Sequence, residues 1–237
     1  MREHDSPVTS ASGSSILVWT IFLLLCLIGA GAAVRRIVVL ILPPALSRAP
    51  QFDALDAAFL SRKLLTLCHI VPALLFVTVL PAWFLQRVRS RPVLHRRLSY
   101  LLLFLGAVVG STALLLTSHP VGGVNEAAAT TLYACLFLFS LARAWLMLHR
   151  NNQELHRTWM IRAVAVLLGI AATRPVMGFF FATESITHLQ PQQFFGTAFW
   201  IGFTATYIAG EAYLRSHPAA PPALLRPQPA LRPAPSQ

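Results

Sequence analysis

Long apolar runs, each closed off by Arg, His, Pro or Asn, recur along the whole chain. They cover residues 16–34, 64–85, 98–117, 127–148, 160–181 and 195–213. A helix needs about 20 residues to cross a hydrocarbon core of roughly 30 Å, so each run is long enough to span a bilayer. The connections between runs are short, which makes successive helices antiparallel neighbours. The pattern therefore predicts an all-α, polytopic membrane helical bundle of about six transmembrane helices over residues 15–215.

The flanks read differently. Residues 1–14 form a polar tail. The first run, Ile16 to Val34, stops at Arg35-Arg36. Ala30-Gly31-Ala32 has the small side chains of a signal-peptide cleavage site, but Glu3 and Asp5 spoil the basic start such a peptide needs. The run is also long for a signal, and a basic stop follows it, so it reads as a span. Pro43-Pro44 then breaks any helix. Within 52–60, Phe52, Leu55 and Phe59 share one helical face with Asp53 and Asp56 beside them, which suits a short helix in the membrane interface. Residues 216–237 hold seven prolines and no apolar periodicity, so an extended or disordered tail is expected. Its spacing of Pro218 and Pro221 is PxxP-like. Gly106 and Gly110 form a GxxxG on the third run, where helix backbones can approach closely.

Composition strengthens the membrane reading. Of 237 residues, 56% are hydrophobic and only 11% are charged, against about 25% charged in soluble domains. No stretch remains for a separate soluble domain. The net charge of +11 comes from 18 Arg and a single lysine, Lys63. These cations lie between apolar runs and form no continuous basic face, which argues against nucleic acid and for anionic lipid as the partner. With the N-terminus inside, the inner segments carry eleven arginines: Arg2, Arg87, Arg89, Arg91, Arg96, Arg97, Arg150, Arg157, Arg215, Arg226 and Arg232. The outer segments carry five basic residues: Arg35, Arg36, Arg48, Arg62 and Lys63. The excess predicts that both termini are cytoplasmic, with the basic first outer loop as a conflict. Cys26, Cys68 and Cys135 fall inside apolar runs and read as small buried hydrophobes. With no CxxC and no CxxCH there is neither a zinc framework nor covalent haem attachment.

Ionisable groups inside membrane helices are costly and usually face a partner, a cavity or a cofactor. His69, Arg162, Arg174, Glu211 and, at a helix boundary, His156 stand out. At 1.5 Å per residue, His69 sits about 7 Å inside the outer end of the second run, and Arg174 lies near the same level. Two clusters are expected. The outer one holds His69, Arg174 and His119, and the inner one His95, His156, Arg162 and Glu211. Arg162 and Glu211 read as an ion pair, whereas Arg174 is too deep to snorkel easily. His149 and His188 read as interfacial. No HxxxH or HExxH supports a protein-bound metal ion. Neutral imidazole is a common axial ligand of haem iron. In that reading His69 with His119, and His95 with His156, ligate two haem b groups, and arginines pair with the propionates. His95 and His119 stand about 36 Å apart along a helix, so at least one lies in the interface.

Five segments carry a family resemblance: His69-Ile70-Val71-Pro72-Ala73, Leu94-His95-Arg96-Arg97-Leu98, His156-Arg157-Thr158-Trp159-Met160-Ile161-Arg162, then Arg174 and Glu211. Over roughly residues 50 to 215 they resemble bacterial predicted membrane proteins grouped as domain of unknown function 2306. The HR-x-WM-x-R segment is the most specific part. The resemblance implies a bundle in the bacterial cytoplasmic membrane and singles out His69, His95, His156, Arg162, Arg174 and Glu211. It supplies no activity. The family pattern has Asn five residues before the final Glu, where this chain has Thr206. A looser architectural similarity to two-haem transmembrane cytochromes b rests on histidines near both faces.

Three functional classes follow. Haem-b electron transfer through the membrane uses the histidine pairs. Small-solute transport uses Arg174 to meet an anion and Glu211 to couple to protons. A non-catalytic scaffold would assemble other membrane proteins. No nucleophile elbow, P-loop or dinucleotide fingerprint marks a hydrolase, kinase or dehydrogenase.

Overall fold

The structure is a computed structural model that describes residues 10–42 and 59–217. Six long helices dominate: α1 (Ser10–Ile41), α2 (Lys63–Phe84), α3 (Pro92–Leu116), α4 (Gly123–His149), α5 (Gln153–Ala182) and α6 (Pro191–Ser216). One-turn helices at Gln86–Arg89 and Glu184–Thr187 fill two of the connections, and the described residues contain no strand. Among the described residues, α1 from Ile16 and α2 to α5 are long and apolar enough to cross a membrane. The sixth run is a helix of similar length, but it falls short of the apolar character of those five, with Gln192, Gln193, Thr197, Thr204, Thr206 and Glu211 along it.

The helices start before the apolar runs do, because apolar content marks the hydrocarbon zone and not the helix end. Proline at the first position opens both α3 and α6, where its missing N–H costs nothing. Asn152 caps α5 by accepting a hydrogen bond from the Leu155 amide at 3.1 Å. The chain reverses between α4 and α5 through Asn151 at φ 54°, a left-handed conformation that asparagine tolerates well. The first helix differs most from expectation. It does not stop at Arg35-Arg36 but runs on to Ile41, since arginine is a good helix former; in the sequence Pro43-Pro44, which break a helix, follow directly. The interfacial helix expected over 52–60 lies outside the described residues except for Phe59 and Leu60, which are helical. The proline-rich tail beyond His217 and the first nine residues also lie outside them.

Each of α1 to α5 packs against the next, and α5 closes back on α1, giving a five-helix ring. The sixth helix lies along the groove between α4 and α5. Lipid tails are as apolar as leucine, so close van der Waals contact and interhelical hydrogen bonds hold such a ring together. Gly106 and Gly110 provide the first. A Cβ at Gly106 would lie 2.7 Å from Leu141 Cδ1, and one at Gly110 would lie 2.6 Å from Leu138 Cδ2. The GxxxG is therefore an α3–α4 contact within the chain. Between α5 and α6, a Cβ at Gly202 would lie 2.7 Å from the Thr173 backbone nitrogen, so that crossing needs glycine. The second kind of contact joins α4 to α6, through Tyr133 Oη and Thr204 Oγ1 at 2.7 Å and through Trp200 Nε1 donating to Asn125 Oδ1 at 3.0 Å.

Candidate functional site

The ring is not filled throughout. All six helices line one cavity of about 260 Å³ at the end of the bundle capped by Ser118–Gly122. Residues spaced three or four apart reach it from each helix, the interval that keeps side chains on one helical face. Arg62, Thr66, His69 and Ala73 come from α2 and its start, and Glu126, Thr130, Tyr133 and Phe137 from α4. The ring's closing pair adds Arg36 from α1 and Ile170 and Arg174 from α5, and α6 adds Phe195, Phe199 and Phe203.

Polar and apolar groups separate by depth. Counted from the helix ends at this face, Glu126 lies about 5 Å in, Arg36 about 8 Å, His69 about 9 Å and Arg174 about 12 Å. Ile170 and Phe203 lie about 18 Å in, and Phe137 about 21 Å. The expected outer cluster is thus assembled, with His69, His119 and Arg174 all lining one cavity. His119 is exposed at the mouth, its Nδ1 2.9 Å from Ser118 Oγ.

The surroundings of His69 fix its tautomer. Its Nδ1 lies 3.0 Å from Thr112 Oγ1, and that hydroxyl is 2.6 Å from the Val108 carbonyl oxygen. A carbonyl can only accept, so Thr112 donates its single proton there and receives one from His69 Nδ1–H. In neutral imidazole Nε2 is then the unprotonated nitrogen, and the Val109 backbone is a further hydrogen-bond partner of the ring. Glu126 accepts from the Gly122 amide at 2.6 Å, which ties its carboxylate to the turn. Arg174 is different. It has no carboxylate or hydrogen-bond acceptor among the described residues, and its charged neighbours are cations, Arg36 and Arg35 of α1. Arg36 itself sits 4.1 Å from the ring centre of Phe59.

At the other end, His95 and His156 meet around Trp83. The Trp83 indole stacks on His95 with ring centres 5.0 Å apart and meets His156 edge-on at 6.0 Å. Its Nε1 donates to Ser99 Oγ at 2.8 Å. His156 is fully buried. Its Nδ1 donates to the Ala144 carbonyl at 2.8 Å, and its Nε2 lies 3.2 Å from Ser99 Oγ. With Nδ1 protonated, neutral His156 has an unprotonated Nε2 facing Ser99 Oγ, whose own proton goes to the His95 carbonyl at 2.9 Å. The Nδ1 of His95 is buried without a partner among the described residues.

Arg162 and Glu211 pair as the sequence suggested, Nε to Oε1 at 2.6 Å and Nη2 to Oε2 at 3.2 Å. The expected inner cluster therefore forms two groups, one around Trp83 and one around this pair. Trp159 lies between two arginines, with Arg162 at 4.6 Å and Arg143 at 5.3 Å from its ring. Arg143 was not among the residues singled out above. It stands inside an apolar run, the same signal that marked Arg162, and its Nε is buried without a partner among the described residues. Thr206 spends its hydroxyl on its own helix, 3.1 Å from the Gly202 carbonyl, so it reaches across to no other helix. No group of three or more His, Cys, Asp or Glu side chains suited to a metal ion occurs among the described residues.

Residues 66–211 match the family described as Predicted membrane protein (DUF2306). The match begins at Thr66 on the cavity wall, ends at Glu211 of the ion pair, and leaves α1 outside. No curated protein and no solved structure matches the chain.

Proposed function

The chain belongs to that family of membrane proteins, and on this premise we propose that it is a carrier-type protein that binds a small anionic solute in the cavity between its helices. The observation that carries the reading is Arg174. A guanidinium in a membrane-spanning helix, here exposed on the cavity wall, needs a counter-charge, a polar partner or water. The described residues give it neither of the first two, and they bring two further cations close. An anion in the cavity would supply what the described residues do not, in the bidentate geometry that suits arginine. Glu211 supports the bundle and not the solute, since Arg162 holds both of its oxygens.

The orientation we propose places both termini in the cytoplasm of a bacterial inner membrane, so that the cavity opens outward. Eleven inner arginines against five outer basic residues favour it. Two of those five, Arg35 and Arg36, lie within α1 and not in a loop, which removes much of the conflict.

The test is thermal unfolding of the purified full chain with acetate, phosphate and sulfate salts of one cation. At a hundredfold excess over Kd, a bound anion adds about 2.7 kcal/mol to stability. One anion class should raise Tm in the wild type and leave Arg174→Gln unmoved. Equal shifts in both proteins would overturn the reading. Haem at the cavity is the second reading, favoured by the Thr112 bond that makes His69 Nε2 the unprotonated nitrogen, the form that ligates iron. A Soret band in the purified protein, lost in His69→Ala, would transfer the cavity to haem.

A further inference from the structure

The cavity's two halves differ in kind, and from that difference we infer that its ligand is a single-chain amphiphile, an anionic head on an unbranched apolar tail. The inference rests on the anion reading above and names the class of solute. Every charged side chain of the described lining stands in the outer half, within about 12 Å of the helix ends. Arg62, Arg36, His69 and Arg174 form a basic collar there, and Glu126 is occupied by the Gly122 amide.

Below Arg174 the lining turns apolar. Ala73, Phe137, Val166, Leu167, Ile170 and Phe203 make up the deep half. The hydroxyl at this depth, on Tyr133, is taken by Thr204 Oγ1 at 2.7 Å, and the Tyr133 ring stacks on Phe203 with centres 4.9 Å apart. The described lining of the deep half therefore offers a ligand no polar partner beyond the Tyr133 hydroxyl already bonded to Thr204, and would leave a buried polar group of the ligand poorly satisfied. From Arg174 to Val166 it runs about 12 Å along α5. A compact anion such as phosphate would fill the collar and leave this length empty. A volume near 260 Å³ also falls below the roughly 300–1,000 Å³ of pockets for drug-sized ligands. That is too little for a two-chain lipid, and the shape favours one slender tail.

The experiment measures binding of straight-chain carboxylates of two, six, ten and fourteen carbons, with decyl phosphate and decanol, to the full chain in nanodiscs. Affinities are referred to the free aqueous concentration. Affinity should rise about fourfold per buried methylene until the floor is reached, and then level off. Decyl phosphate should bind as the carboxylate does if any anionic head suffices, and it should fail if the collar selects carboxylate. Arg174→Gln should weaken decanoate at least tenfold and leave decanol unchanged. Ala73→Phe, which fills the deep half, should abolish the gain from long tails and spare acetate. Ala73→Leu makes the same test with a smaller insert should the first variant not accumulate. Acetate binding as tightly as decanoate, with both dependent on Arg174, would overturn the amphiphile and keep the anion site. Decanol matching decanoate, with Arg174→Gln without effect, would overturn the anion reading as well.

Discussion

Arg162 grips both carboxylate oxygens of Glu211, joining α5 to α6 about two and a half turns in from the start of α5 and about one and a half from the end of α6, at the face opposite the cavity. Each side chain is about three-quarters covered, with 27% and 24% of its surface exposed, and Trp159 lies against the guanidinium. Removing one member leaves the other charge partly buried and alone, a loss of about 3 kcal/mol or more when such a site is dry. Arg162→Ala and Glu211→Ala should each lower the unfolding midpoint in detergent. The double change to leucine should cost less than either. Single variants as stable as the wild type would show that the pair contributes nothing.

Ser99 serves three neighbours, receiving the Trp83 indole proton, lying 3.2 Å from His156 Nε2 and donating to the His95 carbonyl at 2.9 Å. Ser99→Ala removes the acceptor and leaves a buried indole N–H unpaired, which should cost about 1–3 kcal/mol. Trp83→Phe should relieve much of that loss in the double variant, because the orphaned donor goes with it. A double-variant cycle on unfolding free energy checks this, and strict additivity would mean the bond is unimportant.

The depth of charged residues was legible in the sequence, and what surrounds them was not. Arg162 and Glu211 could be paired because both stand near the same face of consecutive helices, and His69 could be levelled with Arg174 by counting residues. The cavity was invisible, because it comes from α5 closing back on α1, a contact between the fifth run and the first that no local pattern encodes. Trp83 and Ser99 passed as ordinary members of apolar or boundary stretches. Their importance comes from burial beside His156, which only assembly reveals. Arg35-Arg36 read as a stop because charge ends a hydrocarbon span, yet it does not end a helix.

Gly106 and Gly110 make a contact within the chain, so enlarging them should damage folding and not assembly. Gly106→Ile forces its new side chain into Leu141, and overpacking of this kind typically costs about 1–3 kcal/mol. Leu141→Ala should restore part of the loss by opening the space. Size-exclusion chromatography with light scattering should show the same oligomeric state throughout. A change of state without loss of stability would move the GxxxG to an interface between chains.

The proposed orientation makes the cavity mouth accessible from outside, and single cysteines can read it directly. With Cys26, Cys68 and Cys135 replaced, a cysteine at Gly123 lies beside the mouth, exposed, at φ +66°. Asn152 lies at the opposite face, exposed at the start of α5. Gly123 is strained for any side chain, so Val124, which is 86% exposed, serves as the second probe of that face. A charged maleimide that does not cross membranes should label Val124→Cys and Gly123→Cys in intact cells. Asn152→Cys should react only after permeabilisation, because eleven arginines hold its face to the cytoplasm. Labelling of Asn152→Cys in intact cells, with Val124→Cys silent, would invert the bundle and turn the cavity toward the cytoplasm.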